Sequence, residues 1–154
     1  MDKNVIIKVR GKQILDNEIP GTLELITEGK YYKKDNAYYA TYNESEVTGM
    51  EGTTTTIKIE NQIVTLMREG SINSQFVFQK GQRHVSYYDT TYGAFTVGVF
   101  ANDVDVNVND CGGEIHVDYC IEINESTGCN DFFILIEEAG YSNDKCTRRN
   151  EKKN

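Results

Sequence analysis

Between Gly112 and Ile123, Ile115, Val117, Tyr119, Ile121 and Ile123 alternate strictly with other residues, the longest such alternation in the chain. A period of two places these side chains on one face of a pleated strand and leaves no helical stripe. Shorter runs repeat the pattern from end to end. Val5, Ile7 and Val9 share a face, as do Leu23 and Leu25, and then Tyr38, Ala40 and Tyr42 after an Asp35-Asn36 turn. Ile57 and Ile59 extend the odd face of 53–60, Glu60-Asn61 turns the chain into 63–69, and Gly70 closes that arm. Phe76 and Phe78 mark 75–79, Lys80-Gly81 breaks the run, and 83–88 follows. Phe95, Val97 and Val99 precede an Asn102-Asp103 turn into Val104, Val106 and Val108, and a Ser126-Thr127-Gly128 turn precedes 132–138. Roughly ten strand candidates result, with no helical period of useful length.

Composition points the same way. Val, Ile and Thr supply 40 residues against 10 from Leu and Ala, and β-branched side chains, stiff at χ1, favour pleated surfaces. Successive hairpins pair neighbour to neighbour, and a long meander removes its exposed edges most completely by closing on itself. The expected class is therefore all-β: an antiparallel up-and-down barrel of about 8–10 strands, with a two-sheet sandwich as the alternative. Gly98, inside a strand run, supplies a bend, and Pro20 falls between the first two strands. The barrel domain is expected over residues 1–138. The remainder, 139–154, is polar and carries Lys145, Arg148, Arg149, Lys152 and Lys153 against Asp144 and Glu151. It offers too little apolar surface to offset its ordering entropy and is expected to stay disordered.

The net charge of −8 and pI near 4.8 argue against nucleic acid or an anionic membrane as partner, since both need clustered Lys and Arg. No uncharged apolar run is long enough to span a bilayer, and the opening Met-Asp-Lys-Asn-Val-Ile-Ile-Lys has no signal-peptide core. The expected location is the cytoplasm, and Cys111, Cys120, Cys129 and Cys146 are expected to be free thiols.

Three segments carry a resemblance: Glu51 through Ile59, the block Arg83-His84-Val85-Ser86-Tyr87-Tyr88-Asp89-Thr90 running on to Tyr92-Gly93, and Gly112-Gly113-Glu114-Ile115-His116-Val117-Asp118-Tyr119. Together, over about residues 3–138, they resemble the YwiB-like family of uncharacterised Firmicutes proteins, a domain of unknown function among the calycin-like (lipocalin-like) β-barrels. The resemblance implies a calycin-type barrel in a bacterial cytoplasmic protein and brings no established activity. Thr91 stands where the family often has proline, and the chain has no Trp, so the Gly-x-Trp signature of lipocalins, and their ligands, do not carry over.

Candidate chemistry concentrates in 83–88. Alternation sets His84, Ser86 and Tyr88 on one face; turned inward, they give an apolar cavity the few polar groups that orient a ligand. Arg68, between Leu66 and Gly70, adds a guanidinium suited to a carboxylate. His116, Asp118 and Cys120 share a face of the longest run, but that face reads as the solvent side, and no metal is expected there. No CxxC, HExxH, GxSxG or phosphate loop occurs. The sequence thus predicts a non-enzymatic barrel without cofactor, holding a small hydrophobic molecule with Arg68, His84, Ser86 and Tyr88 as polar contacts. The alternative is a filled barrel that self-associates, as a homodimer for instance, through an aromatic face of Tyr31, Tyr32 and Tyr39.

Overall fold

The computed structural model describes residues 2–14, 21–45, 51–90, 93–123 and 126–139. Within them lie ten strands: β1 (Lys3–Ile14), β2 (Gly21–Lys34), β3 (Ala37–Asn43), β4 (Thr53–Glu60), β5 (Ile63–Gly70), β6 (Asn73–Phe78), β7 (Arg83–Thr90), β8 (Gly93–Asn109), β9 (Gly112–Ile123) and β10 (Ser126–Glu138). Each pairs antiparallel with its sequence neighbour, and β1 closes on β10 through a ladder running from Val5↔Glu138 to Ile14↔Cys129. The meander is thus a closed barrel, not a sandwich, and consistent with the calycin-like class. The tail 140–154, Pro20 and the Thr91-Tyr92 turn lie outside the described residues.

Two expected turns are not turns. Asn102-Asp103 sits inside β8, where the ladder to β9 slips by one residue between Ala101 and Asp103. Such a bulge bends a strand without reversing it, so 94–100 and 104–108 form one long strand. Ser126, Thr127 and Gly128 likewise belong to β10, paired with Ile123, Glu122 and Ile121.

The connections between strands gather at the two ends of the barrel. At one, the reversals are tight: Asn61 and Gln62 both take positive φ between β4 and β5, as a two-residue hairpin turn requires. Gly112 and Gly113 open β9 at φ +115 and +147, and a Cβ there would meet the carbonyls of Ile136 and Asn107 at 2.3 and 2.1 Å. Only glycine permits both the conformation and the approach. Tyr31 and Tyr38 stack at 5.4 Å across this closed end. Tyr31 donates to the Asn109 carbonyl and Tyr38 to the Asp110 carboxylate, each at 2.7 Å, while Lys3 donates to the Asp110 carbonyl. Desolvation, then the bond to Asp110, pushes the Tyr38 phenol up to about 12. Tyr31 is buried, so the expected outer aromatic face shrinks to Tyr32 stacked on Tyr39 at 5.1 Å. Alternation requires this, because adjacent tyrosines on one strand point to opposite faces.

Between the ends the interior is filled by side chains. Val5, Ile7, Ile57, Val64, Val97, Val99, Ile115 and Val117 are fully buried, and Phe78 packs against Tyr119 at 4.8 Å and Phe132 at 5.4 Å. The outer face is charged, with pairs such as Lys8–Glu137 and Arg83–Glu122. Arg83 reaches Glu122 by lying across Gly98, where a Cβ would stand 2.4 Å from its guanidinium. No helix among the described residues is long and apolar enough to cross a membrane.

The cysteines depart from expectation. Cys120 and Cys129 are direct partners across the β9–β10 ladder, with Cα atoms 4.0 Å apart, and they form a disulfide. Cys111 is also disulfide-bonded, and no described cysteine is free. Reading the compartment from the absence of a signal segment missed what the register dictates: opposed residues in an antiparallel pair bring their side chains together.

Candidate ligand site at the barrel mouth

The other end, the mouth, carries a belt of polar side chains inside the wall. The ladders place Tyr42 opposite Thr55, Thr55 opposite Arg68, Arg68 opposite Ser74 and Ser74 opposite Tyr88, one inward row across β3 to β7. Glu44, two residues beyond Tyr42, continues that inward face and is 6 % exposed. Thr55, fully buried, donates its hydroxyl to Glu44 Oε2 in a short hydrogen bond. Burial, with the Glu44 charge beside it, raises the Tyr42 phenol. On the opposite wall burial raises the Tyr119 phenol, against the opposing effects of its hydrogen bond to Asn130 and of the Arg68 charge.

This belt is incompletely satisfied. Arg68 Nε lies 3.9 Å from Glu44 Oε2, an ion pair by distance but too long for a hydrogen bond. Arg68 Nε, Glu44 Oε1, Ser74 Oγ and Asn130 Oδ1 are all buried without a hydrogen-bonding partner. Orphaned buried polar atoms cost about 1–3 kcal/mol each, so several together mark a place where something polar completes the set.

The wall opens beside the belt. The β6–β7 ladder holds only the pairs Asn73↔Asp89 and Ser74↔Tyr88, whereas β7–β8 is continuous from Arg83↔Phe100 to Thr90↔Gly93. Where β6 and β7 part, a cleft of about 570 Å³ runs along the wall, lined by Arg68, Ser74, Gln75, His84, Ser86 and Tyr87 among others. The separation ends where Lys80 bridges to Ala101 and Gly81 donates to the Ala101 carbonyl.

Arg68, His84 and Ser86, selected from sequence, therefore line one cleft. His84 is half-buried and bonds the Gln79 side-chain amide at 3.2 Å. Ser86 is 5 % exposed. Tyr88 is not among the cleft residues; it faces the core and packs on Phe76 at 6.1 Å. Sequence reasoning missed Glu44, Ser74 and Asn130. Glu44 had one signal, since it continues the inward parity of Ala40 and Tyr42. His116, on the outer face, pairs with Asp131 at 2.5 Å, Cys120 is in its disulfide, and no metal-binding cluster occurs among the described residues.

A family model for a domain of unknown function, DUF1934, matches residues 7–132. The fold is similar to the crystal structure of the ywiB protein from Bacillus subtilis, at a TM-score of 0.81 and 19 % sequence identity, covering 90 % of this chain and 94 % of that one. At that identity the likeness shows the fold alone. No curated protein matches the chain.

Proposed function

The chain belongs to the DUF1934 family, and within that family's barrel we propose a small-molecule-binding protein that seats a polar ligand in the β5–β7 cleft. The observation that carries this reading is the interrupted β6–β7 ladder, which sets Arg68, Ser74, His84 and Ser86 around one accessible volume. Its size lies within the roughly 300–1,000 Å³ usual for ligand sites. The filled core and the orphaned polar atoms favour a polar ligand over the hydrophobic one expected from sequence. Binding is favoured over catalysis because His84 bonds an amide, whereas a general base is normally oriented by a carboxylate. The reading needs no cofactor, nucleic acid or membrane.

An amide-resolved NMR screen of the full chain against mixed polar and apolar fragments tests it. Shifts should concentrate at Arg68, Ser74, His84 and Ser86. Shifts confined to the closed end around Tyr31 and Tyr38, or none at all, would refute it.

Self-association is the second reading, favoured by Val85 at 60 % and Tyr87 at 71 % exposure on the outer face of β7. Opposite them in the ladder lie Gly98, which the Arg83 guanidinium covers, and Thr96, so a second copy would meet this apolar pair beside the Arg83–Glu122 ion pair. Sedimentation that shows monomer throughout the micromolar range would remove this reading. The cytoplasmic assignment stays with the proposal and is tested by fractionating cells that express the full chain, recovery in the cytosolic fraction being the expected result.

A further inference from the structure

The unpartnered atoms at the mouth narrow the ligand class, granted the binding role proposed above. Arg68 Nε carries a hydrogen to donate; Glu44 Oε1 and Asn130 Oδ1 can only accept; Ser74 Oγ can do either. A carboxylate or phosphate would satisfy Arg68 and confront Glu44, whose side chain is 1 % exposed. An ammonium would satisfy Glu44 and confront Arg68. The two charges already compensate each other at 3.9 Å, so a charged ligand gains no net Coulomb energy and still loses its hydration. A hydroxyl meets both demands, because one oxygen accepts from Arg68 Nε while its hydrogen goes to Glu44 Oε1.

The cleft outside the belt repeats this mixture. Gln75 and Ser86 offer neutral donors and acceptors, and Glu69 and Asp89 offer acceptors alone. Tyr87, at the rim and largely exposed, presents an aromatic face of the kind that packs on C–H surfaces while its hydroxyl stays wet. An acidic chain with two further carboxylates at the cleft discourages anions again. We infer that the mouth and cleft bind a neutral polyhydroxylated molecule, a sugar or polyol, with Arg68 and Glu44 sharing one hydroxyl and Ser74 receiving its neighbour.

Isothermal titration and amide NMR on the full chain test this with D-glucose, D-ribose and myo-inositol as neutral polyols. Succinate and inorganic phosphate serve as anions, putrescine as a cation and octanoate as an apolar acid. At least one polyol should bind saturably with shifts at Arg68, Ser74 and Ser86, and Ser74→Ala should weaken it at least fivefold. Ser74 Oγ bonds nothing in the protein, so that variant folds even where Arg68→Met does not. If an anion, putrescine or octanoate binds there and no polyol does, the hydroxyl inference falls while the cleft-binding reading stands. Polyol shifts lying elsewhere on the barrel, or affinity unchanged in Ser74→Ala, also overturn it. If nothing in the panel moves these signals, both fall together.

Discussion

Removing Arg68 should cost far more stability than neutralising its partner, and neutralising both should recover much of the loss. Glu44 has a side chain 1 % exposed, whereas that of Arg68 is 17 % exposed and borders the cleft. Arg68→Met leaves a desolvated carboxylate without counter-charge, the situation that costs about 3–5 kcal/mol when a buried pair is broken. Glu44→Gln keeps a carbonyl to accept from Thr55, and the remaining guanidinium reaches water through the cleft, so about 1 kcal/mol is expected. In the double variant no buried charge remains at position 44. It should be more stable than Arg68→Met alone, with a coupling of about 2–3 kcal/mol, near the upper end for neighbouring residues. The chain has no Trp, so urea unfolding followed by circular dichroism is the assay. At a slope of about 2 kcal/mol/M the Arg68→Met midpoint should fall by roughly 2 M. A double variant less stable than Arg68→Met, or a Glu44→Gln cost equal to that of Arg68→Met, would refute an uncompensated carboxylate as the source of the loss.

Three further outcomes follow from the packing. Phe78→Ala, which empties a fully buried ring site against Tyr119 and Phe132, should cost about 3–5 kcal/mol by the same urea assay. The Tyr38 phenol titrates near 12 in the folded state instead of its usual 10; because folding holds the proton, this contribution is complete below about pH 10 and is lost as pH rises towards 12. The Tyr38 share of the phenolate absorbance should therefore appear late and together with unfolding, and Asp110→Asn should move the Tyr38 titration downward; early ionisation of all ten tyrosines would contradict the capped closed end. Under air, tryptic mapping without reductant should recover the Cys120 and Cys129 peptides linked, as their register requires; a full yield of alkylated thiols at both would count against it.

The fold was legible because period-two alternation is a local signal that survives burial on one face. Val5 to Val9, Ile57 to Ile59 and Ile115 to Ile123 each declare an inward face, and ten such runs in series have few topologies open to them. What the alternation could not show is where a ladder breaks. Residues 75–79 and 83–88 read as a hairpin as sound as any other, yet β6 and β7 share only two pairs, and that failure creates the cleft. Asn102-Asp103 erred in the other direction, since Asn and Asp favour turns and bulges alike and only the partner strand decides which forms.

The same limit explains the candidate site. His84 and Ser86 announce themselves as polar residues on an inward face, and Arg68 as a charge between inward neighbours. Glu44 carries only the parity it shares with Ala40 and Tyr42, just past the end of their run. Its burial follows from parity with Tyr42 and from Thr55 and Arg68 converging on it from two other strands. A carboxylate enters a barrel only where such partners wait, and partners of this kind are set by register across the sheet. The residue that most narrows the ligand is thus the one whose partners no local pattern reveals: without Glu44, the Arg68 guanidinium would select an anion, and with it the same guanidinium selects a hydroxyl.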